Sequence, residues 1–404
     1  MIFNQSNLYD NIAISNLQYN MFTSMLSYKM LKNLVILFLI VLFNGAFAQK
    51  RIRELGIKPG VLQPGKQNSI TDVAGVLVGH KTMIKGENVR TGVTAILPHN
   101  GNIFQQKVPA AIFVGNGFGK LAGYTQVMEL GNLETPIILT NTLNVSTGIN
   151  ALITYTLQQK GNEKIQSVNA VVGETNDGWL NDIRGRHIQE NDVLEAIQKA
   201  NGFVEEGNVG AGTGTTCFSF KGGIGTSSRK LPQSLGGYTV GVLVQTNFGG
   251  VLQIDGVPVG KELKKFSFSN QLLNNVDGSC MIVVATDAPL DSRNLERLAA
   301  RAMIGVGRTG GIMSHGSGEY AIAFSTDLES RIQHQPEGSV KNIPNLHNDY
   351  TSQLFLAAIE ATEEEAILNS LTMATTMKGN DGHQVESIPL DTLKDLLKNY
   401  NRIP

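Results

Sequence analysis

Short apolar runs rich in valine and isoleucine recur along the chain, at residues 75–78, 93–97, 110–114, 168–172, 238–244, 281–285 and 320–324. Each is bounded by Gly, Asn, Asp or Pro, as strands buried on both faces are. Between them the spacing changes to a helical period. It predicts helices over 149–159 with Ser146 as cap, over 193–200 with Asn191 as cap, and over 295–303 opened by Asp291 or Ser292. A further long helix is predicted over 350–373, carrying the acidic patch Glu363-Glu364-Glu365. Strands and helices mix throughout and no repeat of 20–50 residues is present, so the class is α/β or α+β. One stretch departs from the pattern. Residues 261–278 are polar, Asn-rich and weakly periodic, and read as a long exposed loop. The loop ends at Gly278-Ser279, and a strongly apolar strand begins at Cys280.

The N-terminal pattern is of another kind. Met30-Leu31-Lys32 precedes an apolar run over 34–43, followed by Asn44-Gly45-Ala46-Phe47-Ala48. A basic start, a short apolar run and small residues at the −3 and −1 places make a secretory signal peptide cut before Gln49, and the run is short for a membrane span. Residues 1–29 are polar and patternless, so translation is expected to begin at Met30. The expected product is an exported, secreted or periplasmic protein without a stable membrane anchor, whose residues 49–404 form one catalytic domain.

Composition narrows the chemistry. With 33 basic and 34 acidic residues the net charge is −1, which argues against a nucleic-acid binder. Hydrophobic residues make up 41%, enough for a large core. The two cysteines, Cys217 and Cys280, sit in apolar or Thr-rich runs without a C-x-x-C motif, and read as buried reduced thiols. The seven histidines have no metal-ligand spacing, so neither a metal nor another cofactor is expected. There is no G-x-S-x-G elbow. The glycine clusters at 115–119 and 210–216 are not phosphate-binding loops, and read as close backbone approaches between layers or a pocket lined by backbone N–H groups.

Several segments resemble the L-aminopeptidase/D-amidase-esterase family (DmpA type), which includes the bacterial β-peptidyl aminopeptidases. They are Asn141-Thr142-Leu143, Val172-Gly173-Glu174-Thr175-Asn176-Asp177-Gly178, Leu180-Asn181-Asp182-Ile183-Arg184-Gly185, Gly207-Asn208-Val209-Gly210 through Gly225-Thr226-Ser227-Ser228-Arg229, residues 239–247, Gly278-Ser279 leading to Ala285-Thr286-Asp287-Ala288-Pro289, Arg308-Thr309-Gly310-Gly311 and Gly316-Ser317-Gly318-Glu319. They run in order over essentially the whole chain after the leader. The resemblance implies a four-layer αββα sandwich similar to N-terminal nucleophile hydrolases, and a precursor that cuts itself between Gly278 and Ser279 into chains 49–278 and 279–404. It implies Ser279 as nucleophile, Asn247 at the oxyanion position, and Ser317 and Glu319 as support for the nucleophile and its amine. It also implies a homo-oligomer of processed heterodimers. The family's active-site Tyr is matched by Trp179, whose indole donates a hydrogen bond but cannot accept or lose a proton in that role.

The residue chemistry agrees. A serine hydroxyl needs an adjacent base, and an α-amine with a pKa of about 7.7–8.0 can serve without any histidine. A free substrate amine needs a carboxylate partner in a confined pocket, and Glu174 and Asp177 are the candidates. The expected activity is release of N-terminal residues from short peptides, amides or esters through an acyl-enzyme. An acyltransferase of the ornithine acetyltransferase type and a non-catalytic exported binding protein are the alternatives.

Overall fold

The computed structural model describes residues 49–267, 278–336 and 338–404, together with Lys29, Met30 and Lys32. The chain divides into two compact units, Met1–Gln49 and Lys50–Pro404, and the second is described below. The expected leader lies outside the described residues apart from those three. Among the described residues no helix is long and apolar enough to cross a membrane.

Two sheets carry the fold. One has the order Leu77–Lys85, Val89–Leu97, Ile137–Asn141, Val171–Thr175, Leu121–Ala122. The other has the order Ile224–Lys230, Thr239–Asn247, Gly278–Thr286, Ser317–Ser325, Gln106–Gly117, Ile332–Gln333, and Asn132–Leu133 also pairs with Gln106–Gly117. Three apolar clusters fill the spaces between four layers. Val93, Ala95, Ile138 and Val172 meet Leu152 of helix Val145–Leu157 and Val193 and Ile197 of helix Glu190–Gln198. Val78, Ile96, Leu139 and Val171 meet Leu243, Met281, Val283 and Ile322 across the gap between the sheets. Val242, Val244, Ile282, Val284, Ala321 and Ala323 meet Leu295, Leu298 and Ala302 of helix Ser292–Arg308, with Leu354, Ala358 and Leu371 beyond. The architecture is therefore helix, sheet, sheet, helix, the expected αββα sandwich.

Side chains alternate between faces along each central strand. Met281 and Val283 enter the gap between the sheets while Ile282 and Val284 enter the helix-side cluster. Both faces are dry, so Gly278–Thr286 is buried along its length and its sequence reads as an apolar run rather than an alternation.

Several boundaries differ from the sequence reading. The first strand is Leu77–Lys85 rather than 75–78; it lies at a sheet edge, where polar His80, Lys81 and Thr82 are tolerated. Ile137–Asn141 and Ile224–Lys230 are strands that the apolar pattern did not mark. The second is an edge strand whose polar side chains are buried and paired: Ser227 Oγ donates to Ala361 O at 2.7 Å, and Arg229 Nε lies 3.2 Å from Glu360 Oε2. Ser146 and Asn191 lie inside their helices, and Gln189 occupies the N-cap before Glu190. Asp291 does open its helix, accepting from Asn294 N at 2.8 Å. The single helix expected over 350–373 is Ser352–Glu360 and Ile367–Thr372 joined by a π turn at Ala361–Ala366. The stretch 261–278 begins inside a short helix, Val259–Glu262, and ends in a strand; residues 268–277 lie outside the described residues. Cys217 and Cys280 are free and buried, and burial pushes the Cys217 thiol up to about 12.

Candidate active site

Three neighbouring strands bring polar side chains together where the apolar pattern stops. Thr239–Asn247 ends at Asn247, while Gly278–Thr286 and Ser317–Ser325 both start there. Asn247 pairs with Ser279 in antiparallel register, and Ser279 with Gly318 in parallel register. All four expected residues, Ser279, Asn247, Ser317 and Glu319, are buried. Ser279 Oγ lies 2.5 Å from the carbonyl oxygen of Gly278. Gly278 itself packs so closely that a Cβ would sit 2.8 Å from Asn247 O and 2.9 Å from Phe248 Cα, so only glycine keeps this register.

The register divides the residues between faces. Asn247 and Ser279 share the face between the sheets, with Leu243 and Met281 further along it. The Asn247 carboxamide is oriented by Thr216 N–H, which donates to its Oδ1 at 3.0 Å; its NH2 group has no hydrogen-bond partner among the described residues. Ser317 and Glu319 continue the side of their strand that carries Ala321 and Ala323, facing helix Ser292–Arg308. The Ser317 hydroxyl donates to Glu319 Oε1, while Oε2 is buried and unpartnered among the described residues. Burial raises the Glu319 carboxyl above the ordinary range, and the Ser317 hydroxyl and its own backbone amide work against that rise.

Glu174 and Asp177 part company. Glu174 Oε1 accepts from Lys120 N at 3.0 Å, and Oε2 accepts from the Thr142 hydroxyl. A Cβ placed on Gly119 would lie 3.3 Å from both Glu174 Oε1 and Tyr320 Oη, so carboxylate and phenol share that corner. Burial, then the charges of Glu174 and Glu319, raise the Tyr320 phenol above its usual range. Asp177 is buried in a separate polar group, accepting from Asn181 Nδ2 at 2.9 Å, with Asn141 and Thr91 adjoining. Burial raises its carboxyl to about 6. Trp179 is 55% exposed and stacks on His383, ring centroids 3.7 Å apart at 6°. That exposure rules out the buried packing role that a lone Trp usually has.

Other residues here carried no signal in the sequence. Asn116 Nδ2 donates to Ser314 O at 2.8 Å and Ser317 O at 2.5 Å, tying the glycine-rich 115–119 segment to the start of the Ser317 strand. Only the glycines around Asn116 hinted at it. The second glycine cluster packs between layers: Gly210 N donates to Thr82 Oγ1 at 2.8 Å, and Gly212 O accepts from buried Lys221 Nζ at 3.0 Å.

Residues 68–385 match the model of peptidase family S58. The chain is 40% identical over 375 residues to the β-peptidyl aminopeptidase BapA of Sphingosinicella microcystinivorans, covering 87% of this chain and 93% of that one. The PH0078 protein of Pyrococcus horikoshii OT3 superposes with a TM-score of 0.81 at 49% identity, over 87% of this chain and 100% of its own. The L-aminopeptidase D-Ala-esterase/amidase of Ochrobactrum anthropi, described as a prototype for the serine aminopeptidases and a variant of the Ntn hydrolase fold, superposes with a TM-score of 0.81 at 35% identity, over 88% and 99%. The expected α/β sandwich and the expected hydrolase class agree with these matches, and the chain belongs to peptidase family S58, a family of aminopeptidases.

Proposed function

We propose that the chain is an exported precursor that cuts itself between Gly278 and Ser279 and then works as a serine aminopeptidase with Ser279 as its N-terminal nucleophile. The observation that carries this reading is the Ser279 hydroxyl lying 2.5 Å from the Gly278 carbonyl oxygen, with Asn247 directly across the sheet. In the precursor, Oγ attacks the Gly278 carbonyl carbon and the peptide nitrogen leaves, converting the amide to an ester. The departing nitrogen takes up the hydroxyl proton and becomes the free α-amine of Ser279. Water then hydrolyses the ester, releasing Gly278 as a carboxylate and restoring the Ser279 hydroxyl. In the mature enzyme that amine takes the Oγ proton as the hydroxyl attacks a substrate carbonyl, and passes it to the departing amine. The NH2 group of Asn247 donates to the developing oxyanion. Water releases the acyl group from Ser279.

The division of faces gives Ser317 and Glu319 their part. Their side chains lie on the opposite side of the sheet from the Ser279 hydroxyl, so their reach is to the backbone nitrogen of residue 279. Glu319 Oε2, buried and without a partner among the described residues, suits the ammonium that forms there during each turnover. Glu174 is the favoured partner for the free amine of the substrate, because it shares a corner with Tyr320 of the strand beside Ser279, whereas Asp177 is buried in a separate polar group. Trp179, stacked and exposed, fits a substrate-contact role without proton transfer. Substrates are short peptides, amides or esters, with β-peptides suggested by the named relatives. By the same resemblance, processed heterodimers assemble into a homo-oligomer.

The test uses wild type and Ser279→Ala on a denaturing gel, with free-amine and N-acetylated aminoacyl p-nitroanilides as substrates. Wild type is expected to give two chains, the smaller beginning Ser-Cys-Met-Ile, and to turn over free-amine substrates much faster than N-acetylated ones. Ser279→Ala is expected to stay whole and inert. A variant that still cuts itself would remove Ser279 from its role, and equal rates for capped and free substrates would end the aminopeptidase reading. Turnover of N-acetylornithine with glutamate alone would favour the acyltransferase.

A further inference from the structure

We propose that Phe118 and His315 form an aromatic wall beside the nucleophile that selects substrates with an aromatic or large apolar N-terminal side chain. The inference rests on the reading of Ser279 as nucleophile and Glu174 as ammonium partner.

Phe118 is a large apolar residue, 58% exposed, on a segment that lies beside the buried polar residues Ser279, Ser317 and Glu319. Its place is set by register. Ser279 pairs with Gly318, and Gly318 with Gly117, so Phe118 follows directly on the residue two strands from the nucleophile. Its carbonyl oxygen lies 2.7 Å from where a Cβ on Gly318 would stand, which shows the segment lying against the strand beside Ser279. Two residues further on, Lys120 N–H donates to Glu174 Oε1 at 3.0 Å. Phe118 thus occupies the stretch of chain between the reacting hydroxyl and the carboxylate. An N-terminal residue with its carbonyl at Ser279 and its ammonium at Glu174 spans that same interval.

His315 completes the wall. Its ring centroid is 6.1 Å from that of Phe118, tilted by 46°, within the range of attractive aromatic pairs. The two loops that carry the rings are tied together below by the Asn116 amide, which donates to Ser314 O and Ser317 O. The wall is therefore built before a substrate arrives. A bare aromatic pair next to a buried reaction centre contributes little to folding, but it removes apolar substrate surface from water when a side chain lies against it.

The experiment measures kcat/KM of purified wild type, Phe118→Ala, Phe118→Tyr and His315→Ala on free-amine p-nitroanilides of Ala, Leu, Phe and Lys. Wild type is expected to prefer Phe over Ala by about tenfold or more, the scale of discrimination that apolar contacts supply. Phe118→Ala should bring that ratio close to one, Phe118→Tyr should keep it, and His315→Ala should fall between. An unchanged Phe-to-Ala ratio in Phe118→Ala, or a wild-type preference for Lys, overturns the wall. If Phe118→Ala is not recovered folded, His315→Ala and Phe118→Tyr decide: no difference between those two overturns it. Loss of discrimination between free and N-acetylated substrates in wild type would instead overturn the aminopeptidase site on which the wall depends.

Discussion

Among the described residues the Asn247 carboxamide is held at one end only. Thr216 N–H fixes its oxygen, which leaves the NH2 group on the face it shares with Ser279. Asn247→Ala is expected to lower kcat by about 10²–10³-fold with a small change in KM, as loss of one oxyanion donor does; steady-state kinetics on a free-amine anilide checks this. The two acidic candidates call for different outcomes. Glu174→Gln should narrow the rate gap between free-amine and N-acetylated substrates, because it removes the charge proposed to face the ammonium. Asp177 should act on stability instead. Its folded carboxyl is raised from 3.8 to about 6 by burial, so the folded state binds more protons than the unfolded state between those values. This residue's contribution therefore makes stability fall as pH rises from 3.8 to about 6, and Asp177→Asn should remove that component from a series of urea melts. A slope equal to wild type would contradict the assignment. At this scale the sequence made Ser279 legible, as a hydroxyl where a polar stretch meets a buried strand. It did not reveal Tyr320, which reads as an ordinary strand residue, or the part of Asn116, which the glycine cluster marked only as a close approach or pocket, until the neighbouring strand is laid beside them.

Strand pairing governs the element scale. Gly278 sits at the point where its strand meets the backbone of Asn247 and Phe248 with no room for a side chain. Gly278→Val should slow self-cleavage, seen as uncut chain persisting on a denaturing gel, because the added carbons push the Gly278 carbonyl away from Asn247. Helix Ser292–Arg308 backs the face that carries Ser317 and Glu319, and its first turn depends on Asp291, which also accepts from Asn345 Nδ2 at 3.0 Å. Asp291→Ala is expected to cost about 1 kcal/mol, measured as a lower denaturation midpoint. The central strands Thr239–Asn247, Gly278–Thr286 and Ser317–Ser325 were readable because both of their faces are apolar, whereas the short central strand Ile137–Asn141 was missed. The edge strands Leu77–Lys85 and Ile224–Lys230 were misplaced or missed, since edge positions accept polar residues whose partners lie far away in the chain.

At the scale of the whole molecule, the proposed cut falls inside a continuous sheet. Gly278–Thr286 lies between Thr239–Asn247, from the larger piece, and Ser317–Ser325, from its own piece, and Ser317–Ser325 pairs in turn with Gln106–Gly117 from the larger piece. Each piece therefore supplies strands that the other needs. The cut protein is expected to run as one particle on size exclusion in native buffer and to separate into two chains only in denaturant. Separation in native buffer would contradict the interleaving.

Local sequence by itself determined which segments are apolar and of what period, and with them the α/β class and the apolar core of the buried strand, which the structure extends back to Gly278. These properties depend on neighbours in the chain, so they can be read along it. Only the tertiary structure decided that Asn247 stands opposite Ser279, that Ser317 and Glu319 lie on the other face of the sheet, and that Glu174 and Asp177 belong to different surroundings. Those relations join residues tens to hundreds of positions apart, and strand register and packing between layers set them, not the local pattern.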